Sequence, residues 1–263
     1  MTDVERFIYK KSSDITALSA SFTDFTYKKH CHEEYALGVT LRGIQEYNLD
    51  GSFHASYANG VMLFNPEQIH DGRAHDDSGL NYVMLYIEPK LFLDILGKKD
   101  IVRFASPVVY NQALKKSILN LSSAIQSGED EALCSELLLA LVDNFNPTNI
   151  FIDYKRDNEL VNKAKEMIYS KLAGVMSLDE ICKEISLSKF QFIRLFKANT
   201  GISPYQYFIF YKVNRAKQLL EKNKNIYSVI AECGFVDLSH LNKHFKGIYG
   251  ITAFEYKSHL NLN

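Results

Sequence analysis

The 263-residue chain has only four cysteines, and they follow no pairing pattern. Cys31, Cys134, Cys182 and Cys233 are far apart and none forms a CxxC unit, which excludes a zinc finger. In a reducing compartment such cysteines read as small buried apolar residues. No apolar run approaches the roughly eighteen residues of a membrane span. The first residues, Met1 to Arg6, lack the basic and apolar parts of a signal peptide, so a cytoplasmic location is expected. A strong charge of one sign is also missing, since the net charge is −1. The balance is nevertheless uneven. Residues 157–263 carry 15 Lys and Arg against 10 Asp and Glu, whereas residues 1–156 carry 15 against 21. The C-terminal part is the half that phosphate would attract.

Two hydrophobic periods divide what is present. Residues 1–88 contain short β-branched and aromatic runs: Ile15–Tyr27, Tyr35–Arg42, Ile44–Leu49, Ser52–Ala58, Val61–Asn65 and Asn81–Ile87. Asp50-Gly51 between two such runs is a hairpin signal, and Asn59-Gly60 marks the next turn. Many short strands at this spacing predict a small barrel or sandwich. From Pro89 the period becomes helical: Lys90–Leu96, then Gln112–Gln126 and Glu131–Phe145, the last with Leu133, Leu137, Leu138, Leu141 and Val142 on one face, joined by Ser127-Gly128-Glu129-Asp130 as an antiparallel pair. Asn146-Pro147 stops the last of these. Residues 146–157 read as a linker between a first domain, 1–146, and a second, 158–263.

The last hundred residues hold an internal repeat with an offset of 49. Phe196-Lys197 matches Phe245-Lys246, Gly201-Ile202 matches Gly250-Ile251, and Tyr207 matches Tyr256, with Ile181 set against Ile230. Ser177-Leu178-Asp179-Glu180 and Ser188-Lys189-Phe190-Gln191 are capping boxes, and Ser203-Pro204 adds a proline at a first helical position. In each copy a short helix, a tight turn and a second helix follow one another, the pattern of a helix-turn-helix. The turns are Ser186-Leu187 and Cys233-Gly234-Phe235-Val236; the second helices are Lys189–Asn199 and Leu238–Tyr249. Between the copies lies a helix over Pro204–Lys222, about 28 Å long at ~1.5 Å per residue, close to the ~34 Å of one DNA turn. Shared core positions with divergent outer ones (Lys189, Phe190, Gln191 and Ile193 against Leu238, Ser239, His240 and Asn242) fit two readers of different half-sites. A protein-binding helical bundle is the competing reading of the same pattern.

These residues resemble the AraC/XylS regulators. The resemblance runs through Ser177–Ile181, Ser188–Lys197, Gly201–Tyr207, Asn214–Leu220, Ile230–Phe235, Ser239–Leu241, Phe245-Lys246 and Gly250–Thr252, and covers about residues 160–257. Ala253, Lys212 and Leu238 depart from the family's usual proline, arginine and glutamine. Carried onto this sequence, the resemblance implies that Phe190, Ile193 and Arg194, with Leu238, Ser239, His240 and Lys243, face a major groove, with Arg194 best placed for a guanine. Lys189, Gln191, Lys197 and Lys246 complete the candidate DNA-binding set, the lysines either meeting phosphates or standing solvated. The implied partners are double-stranded DNA, a small-molecule effector and RNA polymerase, with activation the commoner outcome.

The front part, through His30-Cys31-His32-Glu33-Glu34-Tyr35, Gly38, Gly60, Asn65-Pro66 and His70, resembles the cupin-type sensor domain of that family. The implied fold is α+β: a cupin-like barrel with a helical pair, then an all-α domain of two helix-turn-helix units. His30, His32, Tyr35, Tyr47, Phe64 and His70 are the candidate effector-binding residues, with Tyr82 and Tyr86 open to either pocket or core roles. The histidines, with Glu33 or Glu34, also invite comparison with the metal sites of cupin enzymes; pocket histidines without metal are the plainer reading, and no catalytic residue, metal or cofactor is assigned. The apolar stripes of Gln112–Phe145 serve either a homodimer or packing on the barrel. Two further functions compete with effector-responsive regulation: a metal-dependent cupin enzyme with a helical appendage, and a DNA-binding protein whose front domain only dimerises.

Overall fold

The computed structural model describes residues 5–145, 150–152 and 158–260. The chain divides into two compact units, the first of residues 1–154 together with 259–263 and the second of residues 155–258.

In the first unit nine strands follow one another: β1 (Arg6–Ser12), β2 (Ile15–Phe22), β3 (Thr26–His30), β4 (Tyr35–Arg42), β5 (Gln45–Leu49), β6 (Ser52–Ser56), β7 (Val61–Phe64), β8 (His70–Ala74) and β9 (Leu80–Ile87). Then come α1 (Pro89–Ile95), β10 (Val102–Phe104), β11 (Val108–Val109), α2 (Gln112–Ser127), α3 (Glu131–Val142) and β12 (Ile150–Ile152). A six-stranded antiparallel sheet has the order β1-β2-β9-β4-β7-β11, and a four-stranded sheet the order β3-β8-β5-β6. Asp50-Gly51 forms the expected two-residue turn between Leu49 and Ser52, with φ of 49° and 86°. Both residues adopt the positive φ that a type I′ hairpin demands.

Alternation splits the six-stranded sheet into two faces. Tyr35, Leu37 and Val39 of β4, with Val83, Leu85 and Ile87 of β9, join Leu114, Ile118 and Leu121 of α2 and Leu138 and Leu141 of α3 in one core. The intervening residues, Met62 and Phe64 of β7 and Tyr82, Met84 and Tyr86 of β9, lie on the opposite face, buried toward the four-stranded sheet. Gly38 makes room there: a Cβ on it would stand 2.8 Å from the Met84 sulfur. Helix α2 is capped by the Asn111 side chain and closed by Gly128 at φ 74°, and α3 is capped by Asp130.

Three sequence expectations are corrected. The Ile15–Tyr27 run is two strands that belong to different sheets. Residues 150–152, expected in the linker, pair as β12 with β10 in a two-stranded sheet; the rest of that stretch, 146–149 and 153–157, lies outside the described residues. Leu133, expected on the inner face of α3, is exposed, and Cys134 takes the buried place.

The second unit is wholly helical: α4 (Glu159–Ser170), α5 (Leu178–Glu184), α6 (Lys189–Thr200), α7 (Pro204–Glu221), α8 (Ile226–Glu232), α9 (Leu238–Tyr249) and α10 (Ala253–Leu260). Helix α7 is buried on nearly all sides, from Tyr207 through Val213 to Leu220, and packs on α4, α6, α8 and α9. At 18 residues it spans about 27 Å.

Candidate DNA-reading helices and effector chamber

Each copy of the repeat presents one helix by burying the other side of it. In α6, Phe192 and Phe196 are fully buried while Lys189, Arg194 and Lys197 are exposed and Phe190 is 75% exposed. In α9, Leu241 and Phe245 are fully buried while Ser239, Lys243 and Lys246 are exposed. The start of α6 is fixed by a reciprocal cap between Ser188 and Gln191. Gln191 therefore spends its side-chain oxygen on the Ser188 amide at 3.0 Å. Lys189 meets Asp179 at 2.7 Å in an exposed pair, the kind that contributes little to stability. Ile193 and Leu238 are half-buried. His240 is half-buried too; its Nδ1 accepts from the Val236 amide at 3.4 Å, and its ring stands edge-on to Phe235 and His244.

The two turns are not the same length. The first runs from Ile185 through Ser186, at φ 56°, to the Ser188 cap; the second runs from Cys233 through Gly234, at φ 60°, to the Asp237 cap. The second thus holds one more residue. The offset is 49 from α6 to α9 but 48 from α5 to α8, so the buried partner of Ile181 is Val229 and not Ile230. Gly234 is required twice over. Its φ is positive, and a Cβ would come within 2.4 Å of the Ala173 carbonyl oxygen. Lys212 of α7 holds this corner: its Nζ donates to the Gly174 oxygen at 2.9 Å and the Gly234 oxygen at 2.8 Å, under the rings of Phe208 and Phe235. Burial lowers its pKa from the usual lysine value.

The junction after the reading helix also differs. In the first copy Pro204 opens α7 and carries no N–H. In the second, Ala253 takes that place, and its amide donates to Asn242 Oδ1 at 3.1 Å. Asn242 corresponds to Ile193, so the second copy has both an amide donor and a side-chain acceptor where the first has neither. Asn242 is half-buried at this joint rather than on the outer face expected of it.

In the first unit the space between the two sheets is walled by rings. His30 and His70 are cross-strand partners beyond an irregularity in the β3–β8 ladder. His32 follows β3. Ring centroids lie 4.5 Å apart for His30 and His70, 4.8 Å for His30 and His32, and 5.0 Å for His32 and His70. Phe64 stacks on His70, Tyr86 abuts His32, and Tyr47 abuts Phe64. The Tyr27 and Tyr82 hydroxyls meet at 2.7 Å. Burial pushes His30 down to about 3 and His70 to about 4, so both rings are neutral near pH 7. Gln45, also buried, has a side-chain oxygen with no hydrogen-bond partner. A partly open cleft of about 240 Å³ in the same unit is lined by Leu49, His54, Asn65, Gln68 and Phe104 among others, and by none of the three clustered histidines.

Comparison with known proteins matches residues 12–142 to the AraC-like ligand binding domain and residues 181–259 to a helix-turn-helix domain. The chain belongs to the AraC/XylS family of transcriptional regulators. It is a DNA-binding regulator that responds to an effector. An uncharacterized HTH-type transcriptional regulator, YbfI of Bacillus subtilis, is 27% identical over 82% of this chain and 81% of its own length. The lactose operon transcription activator of Staphylococcus xylosus is 26% identical over 88% and 86%. The fold matches that of ToxT from Vibrio cholerae O395, with a TM-score of 0.58 at 14% identity, over 95% of this chain and 99% of that one. A ToxT structure with a bound unsaturated fatty acid gives 0.59 at 14% identity, over 99% and 97%. No helix among the described residues is long and apolar enough to cross a membrane.

Of the effector-binding candidates, His30, His32, Tyr47, Phe64 and His70 come together as a packed cluster of rings. Tyr35 does not. It lies on the other face of β4, tilted against Phe92 and edge-on to Phe104, with its hydroxyl donating to the Val102 oxygen at 2.6 Å. Alternation gives two faces to every strand but does not say which one is the interior. Glu33 and Glu34 do not belong to the histidine cluster. Sequence reasoning missed Gln45, Tyr27 and the cleft residues. Val236, named in the sequence only as part of the second turn, stands 84% exposed beside the start of α9.

Proposed function

We propose that α6 and α9 read two half-sites of double-stranded DNA, and that a small molecule bound in the first unit changes that binding. The observation that carries the first part is the division of each helix into a buried aromatic or aliphatic face and an exposed basic one. Arg194 is the guanine reader and Lys243 its counterpart; Phe190, Ile193, Leu238, Ser239 and His240 line the groove side, and Lys197 and Lys246 meet phosphates. Gln191 and Lys189 act chiefly at the helix start. The effector lies among His30, His32, Tyr47, Phe64 and His70. These neutral imidazoles and phenols suit a guest with polar groups, and the Gln45 oxygen suits a donor on it.

Residues 1–146 make the effector domain and 158–263 the DNA-binding domain. The regulator acts in the cytoplasm as an activator with RNA polymerase, without catalysis of its own, and pairs through the outer face of α3, where Leu133 and Leu139 are exposed. The test is a mobility shift on the chain's own promoter. Arg194→Ala with Lys243→Ala should cost roughly 2–6 kcal/mol of sequence-selective binding, at ~1–3 kcal/mol for each base contact. Unchanged selectivity in that double variant overturns the DNA-reading assignment.

A further inference from the structure

We propose that Val236 and His240 together select a thymine at the entry of the second reading helix, Val236 packing on its C5 methyl group and His240 donating from Nε2 to the O4 beside it. The proposal rests on α9 entering a major groove, and it adds which base that helix picks at its start.

Val236 stands where a helix ordinarily hides an apolar side chain. It directly precedes the Asp237 cap. An apolar residue there commonly folds back on the fourth helical residue, here the buried Leu241. The matching Leu187 of the first copy is half-buried, whereas Val236 is 84% exposed. Its methyl groups are turned to solvent at the mouth of a reading helix. On the base edges of a major groove, the apolar partner for such a side chain is the thymine methyl.

His240 supplies the polar half. A backbone N–H only donates, so the Val236 amide at 3.4 Å leaves the lone pair on Nδ1 and the hydrogen of the neutral ring on Nε2. The ring is held from two further sides, edge-on to Phe235 at 5.5 Å and to His244 at 4.9 Å between centroids. Its own amide donates to Asp237 Oδ1 at 2.7 Å. That carboxylate oxygen, which could otherwise accept from a cytosine amino group, is thereby committed to the cap. The corner offers an apolar surface next to a donor. Thymine presents a methyl next to an acceptor, whereas cytosine presents an amino donor and no methyl. The neighbouring Ser239 hydroxyl both donates and accepts, so it does not discriminate between them.

The full-length chain is first used to select a duplex from a random library, and that duplex is the probe. Each of its thymines is replaced in turn by uracil, which lacks only the methyl. In a second series each is replaced, with guanine opposite, by 5-methylcytosine, which keeps the methyl and turns the acceptor into a donor. Affinities are read by fluorescence anisotropy at one fixed salt concentration. At one thymine, uracil should weaken binding of the parent about 4-fold, the loss expected for one buried methyl. At the same position 5-methylcytosine should weaken it at least ~10-fold. Val236→Ala, a change at an exposed position, should bind the thymine and uracil duplexes alike there. His240→Phe, with circular dichroism to confirm folding, should lose most of the discrimination against 5-methylcytosine. Parent affinity that ignores uracil at every position overturns the proposal and leaves DNA reading by α9 standing. So does parent-like preference for thymine over uracil in Val236→Ala, or unchanged discrimination in folded His240→Phe. Selection of no sequence at all by the parent overturns the DNA-reading assignment, and this proposal with it.

Discussion

The two helix-turn-helix copies bury matching residues but hold their reading helices by different means. In the first, Ser186 turns the chain with no side-chain clash to avoid, and Pro204 opens the next helix without needing an acceptor. In the second, the turn is one residue longer, a glycine is wedged against Ala173, a buried lysine ties two carbonyls together, and Asn242 serves the amide that replaces the proline. The first copy is fixed mostly by local capping. The second is fixed by contacts that reach back to α7 and to the segment after α4. Duplication preserved the hydrophobic skeleton and left each copy to solve its own polar groups.

The largest expected effect sharpens that contrast. Gly234→Ala puts a Cβ into the Ala173 carbonyl and forces a side chain into the left-handed region, at a cost of about 3 kcal/mol. Thermal unfolding should fall by roughly 6–12 °C. Ser186→Gly, the equivalent turn residue in the first copy, should change little or raise stability by up to about 1 kcal/mol, since the positive φ then carries no side-chain cost. Equal and small effects at both positions would break the comparison.

Lys212 comes next. Replacing it with Met keeps most of the apolar stem but leaves the Gly174 and Gly234 oxygens without their donor. The expected loss is about 2 kcal/mol, seen as faster amide hydrogen exchange in the second turn with the first turn unchanged. Lys212→Arg should recover part of it, because a cation with several donors is restored. Uniform exchange throughout both turns would show that the lysine is not specific to the second copy.

Much of this was legible in the residues, and the parts that were not share a cause. Phe196, Gly201 and Tyr207 repeat at 49 because core shape and helix ends tolerate few residue types. The slip to 48 was hidden because Val229 and Ile230 are both apolar, and either satisfies the pattern until packing chooses. Strand β1 was passed over because Arg6, Lys10 and Lys11 dilute its apolar residues; its pairing with β2 supplies what its composition does not. Strand β8, His70-Asp71-Gly72-Arg73-Ala74, is formed by two neighbours and has almost no strand character of its own. The three histidines were visible as residue types, but the ring orientations of His30 and His70 come from the backbone oxygens of Lys28 and Gln68, which no pattern of side chains records. Tyr35 shows the same limit from the other direction, since its face depends on helices a hundred residues away in part.

The smallest effect is the most diagnostic, because it tests a pair rather than a residue. Asn242→Ala removes the acceptor for the Ala253 amide and should cost about 1 kcal/mol. Ala253→Pro alone removes the donor and leaves Asn242 unpaired at a half-buried joint, so it should gain little from its preset φ. The double variant restores the residue types of the first copy, an apolar residue at the reading-helix position and a proline at the next helix start. It should therefore be more stable than the sum of the singles predicts, by about 0.5–1 kcal/mol in a double-mutant cycle. Strict additivity would mean that the two substitutions separating Ile193 and Pro204 from Asn242 and Ala253 arose without reference to each other. The junction would then be a contact of convenience, and the second copy would owe its geometry to Gly234 and Lys212 alone.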